Sequence, residues 1–446
     1  MRTTRLFLIA TAALAMGLSS CSREFGADNA YENEGKATSI KVSLTFPRNE
    51  TRNTTADPNG TANESQINTV DIFIYTGAGN FSSHAHLTAA DFTQGTSTGT
   101  ADVYEYTATA KIPTTTGAKK VFAGINLPAS VVNAVKNQPA SALATMVQTM
   151  SRAELAGDKS FAMFSIQAVT GTFVEDDTDP ANNVTVQCKR LVAKVTVETS
   201  ATLDTDAVPG TLGNLMFAIN NFNTKLFLLQ GEATAHKDPN WASGSWVAGD
   251  FNQAVNSDYA QILSRKLITS PAITDYMPRY AAENTSEDKL KKEITRVTVR
   301  ATFIPEKIVE GTTGNFKVNE SHGATTAKTF YAVTPSVMEG TSYFFNFATA
   351  GAFAAEKGGS VVTYTNGYCY WDIFLNKNPL NPVNRWDVLR NDFYKCVITK
   401  ISGLGRDNPD IPGGEEETTP DVDTNITVDI EILFWHTPIT STYILE

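Results

Sequence analysis

Residues 39–46 read Ser-Ile-Lys-Val-Ser-Leu-Thr-Phe, and their alternation decides the class of fold. Successive side chains of a β-strand point to opposite faces. Ile40, Val42, Leu44 and Phe46 therefore share one face, and Ser39, Lys41, Ser43 and Thr45 share the other. Such a segment lays its apolar face on a core. The same period recurs along the chain. Val70, Ile72 and Ile74 alternate, and Val297, Val299, Ala301 and Phe303 alternate with Thr298, Arg300 and Thr302. Ile426, Val428, Ile430, Ile432 and Phe434 alternate with Thr427, Asp429 and Glu431. Further strands are expected at 102–112, 119–126, 161–166, 340–348, 368–375 and 392–402. Between Val184 and Val197 the apolar phase flips, from Val184, Val186 and Cys188 to Leu191, Ala193, Val195 and Val197. Either a β-bulge near Lys189-Arg190 or two strands meeting at a tight corner would account for it.

Helical periodicity is scarce. The best candidate is 130–151, with Ser130 and Ser141 as caps and Pro139 separating two halves. The polar, turn-rich stretch 199–212 suits a domain boundary. Residues 405–424 carry Asp407, Asp410, Glu415, Glu416, Glu417, Asp421 and Asp423 against Arg406 alone. This run reads as a solvated loop, because it lacks the Asp-x-Asp-x-Asp-Gly order of a calcium loop.

The whole chain has 446 residues, 41% hydrophobic and 19% charged, a globular composition with room for more than one core. The formal charge of −11 argues against nucleic acid and anionic lipid surfaces as partners. The N-terminus reads as an export signal. Arg2 and Arg5 precede an apolar run from Leu6 to Leu18, 13 residues long and too short to span a bilayer. The run ends in Leu18-Ser19-Ser20-Cys21, which resembles a bacterial lipobox and implies cleavage before Cys21 and lipidation of its thiol. The lipid would be the membrane anchor. Cys188, Cys369 and Cys396 remain, all in strand-like runs; they read as buried small side chains, with a Cys369–Cys396 bridge left open.

Catalytic signals are weak. Gly95-Thr-Ser-Thr-Gly99 matches a nucleophile elbow by letter but precedes a strand-like run rather than a helix. His84 and His86 read as an exposed pair in a loop, with no third metal ligand nearby. Trp371, Trp386 and Trp435 read as core residues. The sequence therefore predicts no enzyme, no metal and no cofactor.

Four stretches, in this order, resemble the FimA-like fimbrillins, the major stalk subunits of the type V pili of Bacteroidales-type bacteria. They are the lipobox at 18–21, FAMFSI at 161–166 before RLVAKVTVE at 190–198, RNDFYKCVITKISGLG at 390–405, and the closing VDIEILFWH with its tail. The resemblance implies a mainly β protein of two transthyretin-like β-sandwich domains, with a short helical insertion in the first. The expected division is a signal peptide at 1–20, a propeptide with a removable first strand at 21–52, an N-terminal domain at 53–204 and a C-terminal domain with a donor tail at 205–446. It also implies processing by an arginine-specific protease, at Arg52 with Arg48 as the alternative. The strand carrying Ile40, Val42, Leu44 and Phe46 would leave, and Ile439, Tyr443 and Leu445 of a neighbouring copy would fill its place. The implied partners are copies of the chain and accessory fimbrial subunits. The implied location is the outer membrane for the lipidated precursor and the extracellular fimbrium thereafter, in support of adhesion or biofilm formation. The rival readings are a non-polymerising surface lipoprotein that binds glycan or host protein, and an anchor or accessory fimbrial subunit.

Overall fold

The structure is a computed structural model and describes residues 35–46, 63–95, 105–230, 237–264, 278–376, 385–420 and 425–435. The chain is mainly β, as its alternation predicts. Strands β1 (Ala37–Thr45), β2 (Thr69–Thr76), β3 (Phe81–Thr88), β4 (Phe92–Gln94), β5 (Glu105–Ala108), β6 (Ile112–Thr115) and β7 (Gly117–Ile125) precede helix α1 (Ala129–Lys136). Strands β8 (Met163–Ser165), β9 (Val169–Phe173) and β10 (Asn183–Arg190) follow it. These ten strands form one sheet in the order β3-β2-β7-β8-β10-β1-β5-β4, with β9 paired to β7 and β6 paired to β1. Val70, Ile72 and Ile74 of β2 and Val184 and Val186 of β10 are buried with β1 in the first core.

The phase flip proves to be a corner. β10 ends at Arg190 and the next strand, β11 (Val192–Asp204), begins after Leu191, whose N–H donates to the Ala162 carbonyl at 2.9 Å. Val192 still packs in the first core, whereas Ala193, Val195 and Val197 pack in the second. The chain thus changes cores just after this corner, at the start of β11. The polar stretch 199–212 takes in the end of β11, the start of β12 (Gly210–Asn220) and the turn between them, in which the Val208 N–H donates to the Thr205 carbonyl at 2.9 Å.

The second core lies between two sheets. β11 pairs with β13 (Arg279–Ala282) and, in parallel, with β16 (Asp392–Ile401), and β16 pairs with β17 (Ile426–Phe434). Facing them, β12 pairs with β14 (Arg296–Pro305), and β14 with β15 (Tyr368–Phe374). Val297, Val299, Ala301 and Phe303 of β14 are fully buried, the face their alternation predicts.

Local expectations fail where tertiary partners compete. α1 starts after Pro128, not Ser130, and the segment expected to continue as helix contains a single 3-10 turn, Ala140–Ala142. Residues Val147–Thr149 instead pair antiparallel with Lys225–Phe227. Isolated helices of this length are marginal, so a ladder offered by a distant segment prevails. Of the strand expected at 102–112, the described residues 105–112 form not one strand but β5 and the first residue of β6. Residues 340–348 contain only the strand Tyr343–Phe344, and helix α2 (Phe347–Lys357) follows. Asn346 caps α2 by accepting the Thr349 N–H at 3.0 Å, and Ala350 and Phe353 pack against Val309, Val333 and Phe344. The acidic stretch, described to residue 420, is not simply solvated. The Lys291 and Lys292 N–H groups donate to the Thr418 and Glu416 carbonyls, and Lys291 pairs with Glu415 at 2.6 Å.

Candidate functional site

The strand singled out by its alternation lies inside the first sheet, not at its edge. On one side β1 runs parallel to β10, from Lys41 opposite Asn183 to Thr45 opposite Gln187. On the other side its second half runs antiparallel to β5, with Leu44 opposite Tyr106, and its first half antiparallel to β6, with Ile40 opposite Ile112. Ile40, Val42 and Leu44 are fully buried and Phe46 is 3% exposed. The Tyr106 ring meets Phe46 edge-on at 5.9 Å. The polar residues of β1 are held individually. Thr38 Oγ1 donates to the Val174 carbonyl at 2.7 Å, Ser39 Oγ to Asp177 at 3.1 Å, and the Ser43 and Thr107 hydroxyls share a 3.0 Å bond.

Burying four such side chains contributes about 1.5–3 kcal/mol each. A lane without β1 would present an apolar stripe between two rows of unpaired N–H and C=O groups, a template for another strand. The structure therefore brings Ile40, Val42, Leu44 and Phe46 together in one lane. Cys21, Arg48, Arg52, Ile439, Tyr443 and Leu445 lie outside the described residues.

The described C-terminus stops at a polar node that sequence reading missed. The N–H of Trp435 donates to the Asn391 carbonyl at 3.0 Å. Its indole lies under the Arg190 guanidinium at 4.2 Å and stacks on Tyr280 with centroids 5.6 Å apart. Arg190 is buried; its Nε donates to the Glu64 carbonyl at 3.0 Å and its Nη2 to Ser65 Oγ at 2.8 Å. Glu64 pairs with buried Lys194 at 3.0 Å and accepts from the Tyr280 hydroxyl at 2.7 Å. Burial pushes the Arg190 guanidinium down to about 10, with Glu64 opposing. Burial and the Glu64 carboxylate push the Tyr280 phenol up. Two cations within the apolar run RLVAKV were the available signal, since a buried charge demands a partner. The partner, 126 positions before Arg190, has no sequence signature.

A second node sits beside it. Arg390 pairs with buried Glu283 at 2.6 Å and donates to the carbonyls of Phe227, the last residue of the strand Lys225–Phe227, and of Leu228 after it. Burial pushes Asp392 up to about 7, with Lys189 opposing, and Asp387 up to about 6, with Lys289 opposing.

Other expectations are corrected. His84 and His86 lie on β3, not in a loop, and both bond one oxygen of buried Asp71 at 2.8 Å. Their spacing does put both imidazoles on one strand face, and Asp71 of the neighbouring strand β2, directly opposite His86, lies on that same face. Cys188, Cys369 and Cys396 are buried thiols outside any disulfide, so no Cys369–Cys396 bridge forms, and burial pushes the Cys188 thiol up to about 12. Trp371, Trp386 and Trp435 are core residues. Ser97 lies outside the described residues. Among the described residues no group of His, Cys, Asp or Glu side chains could hold a metal ion, and no helix is long and apolar enough to cross a membrane.

Two family models match the chain. Major fimbrial subunit protein (FimA) matches residues 38–209, and major fimbrial subunit protein type IV, fimbrillin, C-terminal, matches residues 362–439. Together they span more than half of the 446 residues. The minor fimbrium subunit Mfa1 of Porphyromonas gingivalis is 24% identical over 92% of this chain and 89% of its own length. Among solved structures, a fimbrilin (FimA) of Porphyromonas gingivalis aligns over 90% of this chain and 99% of its own at 11% identity and a TM-score of 0.47. The tip fimbrial protein Mfa3 of the same organism aligns over 89% and 100% at 11% identity and a TM-score of 0.40.

Proposed function

We propose that the chain, which belongs to the fimbrillin family of fimbrial subunits, polymerises head to tail by giving up β1 and receiving a strand of a second copy in its lane. The observation that carries this reading is the position of β1. It supplies four buried apolar side chains and ladders on both sides, yet it precedes the rest of the first core in sequence and is followed by two arginines, Arg48 and Arg52. One cut after Arg52 separates the strand from everything it packs on, without touching another strand of that core.

The remaining parts of the reading follow. Cys21 carries the lipid of an outer-membrane precursor, an arginine-specific protease cuts at Arg52 or, as alternative, at Arg48, and the two cores are transthyretin-like sandwich domains. Ile439, Tyr443 and Leu445 of the tail enter the vacated lane of the next subunit. The contact is heterologous and does not close, so its repetition builds a fibre with copies of this chain and accessory subunits. A subunit with a donor tail suits the stalk.

N-terminal sequencing of the protein isolated from the cell surface tests the reading. Asn53 as first residue supports the cut after Arg52, and Asn49 the cut after Arg48. A lipidated Cys21 on assembled fibres overturns processing.

A further inference from the structure

β4, β5 and β6 reach the rest of the first sheet through β1. β5 ladders onto β1 and β4, β4 onto β5, and β6 onto β1. Among the described residues none of the three ladders onto any other strand. β4 and β5 are one unit: the Gly95 N–H donates to the Glu105 carbonyl at 2.7 Å, and the Thr109 N–H to the Asp91 carbonyl at 2.8 Å. β10, on the opposite side of β1, has its own second neighbour in β8 and does not share this dependence.

What else holds these strands is modest. Ile112 is buried in the first core and Phe92 and Tyr106 pack partly against it, but Tyr106 rests against Phe46, the residue that follows β1. Lys111 pairs with Asp177 at 2.8 Å, with 39% and 47% of the two side chains exposed, and a pair so exposed contributes little. The chain joins β6 to β7 at Gly117, with φ +105, a backbone conformation that favours glycine and lets the chain swing from the ladder with β1 to the ladder with β2. On the other flank a single 3-10 turn, Ala89–Asp91, joins β3 to β4.

We infer that β4, β5 and β6 form a hinged wall, docked by whichever strand occupies the lane of β1. When β1 leaves, the wall loses every ladder that joins it to the core. When a strand of a second copy enters parallel to β10, and antiparallel to β5 and β6, the wall closes over it. Insertion and ordering of the wall are then one event, which opposes insertion of a strand too short to rebuild both ladders. The dependence of the wall on β1 stands on topology alone; its closure on a second copy rests on the function proposed above.

Hydrogen exchange on the full-length chain tests it. Leu44→Ala should raise exchange of the β5 and β6 amides at least tenfold, together with those of β1, and leave β2, β3 and β7 near wild type. Ile72→Ala, in the same core on β2, should not select β5 and β6. If Leu44→Ala does not fold, Leu44→Val serves, with a smaller rise in the same amides. Unchanged β5 and β6 exchange while β1 loosens overturns the inference, as does a uniform rise over the whole sheet. In fibres the same amides should be as protected as in the precursor, and free exchange there overturns the closure on a second copy. Should the chain form no fibres, the proposed function fails, and the Leu44 variants still decide the wall.

Discussion

At the scale of single residues, buried ions decide how the two cores are joined. Glu64 offers its carboxylate to Lys194 and Tyr280 and its carbonyl to Arg190, so one residue binds strands of both cores. Truncating one partner of a buried pair leaves the other charge without compensation and costs about 3–5 kcal/mol. Glu64→Gln should therefore lower the midpoint of urea unfolding, and the double variant with Lys194→Met should recover part of the loss, because it removes the orphaned ammonium. The acids beside Arg390 have a signed pH effect. Asp392 holds its proton up to about 7 and Asp387 up to about 6, because burial disfavours their charged forms. In the unfolded chain both ionise near 3.9. Their contribution to stability is thus fully present below about pH 4 and is lost as pH rises through 6 to 7. Thermal unfolding followed from pH 5 to pH 8 should show this decline, and Asp392→Asn should flatten it.

At the scale of elements, period and cap explain what can be read and what cannot. β1 was legible because alternation of four apolar residues allows only one face to be buried, and that is the face the core takes. Leu44→Ala would leave a cavity at a fully buried site and should cost about 2–5 kcal/mol, read as a lower melting temperature of the unprocessed chain. α2 was not legible, because its aromatic residues suggest strand and its cap is one asparagine. Asn346→Ala should cost about 1 kcal/mol, measured by chemical denaturation, with the β ladders intact. The pair β10 and β11 lies between these cases. The flipped phase announced an irregularity, but only the packing of Val192 and Ala193 shows that the chain passes there from one core to the other.

At the scale of the whole molecule, β1 is a strand supplied in cis at the centre of a sheet, and β17 is an edge strand that leads to the tail. Deleting residues 437–446 should abolish polymerisation in an assembly assay while gel filtration still finds a folded monomer. Fibres that persist would sink the tail assignment. The alternation of apolar residues by itself determined that the chain is mainly β and which face of β1 is buried, because both follow from a period of two along a contiguous segment. The resemblance of four ordered stretches added the family. Only the tertiary structure decided that β1 has neighbours on both sides, that the cores change between Val192 and Ala193, and that Glu64 meets Arg190 and Lys194. Those facts depend on pairings between residues tens to more than a hundred positions apart, and pairing at such distances leaves no local period to read.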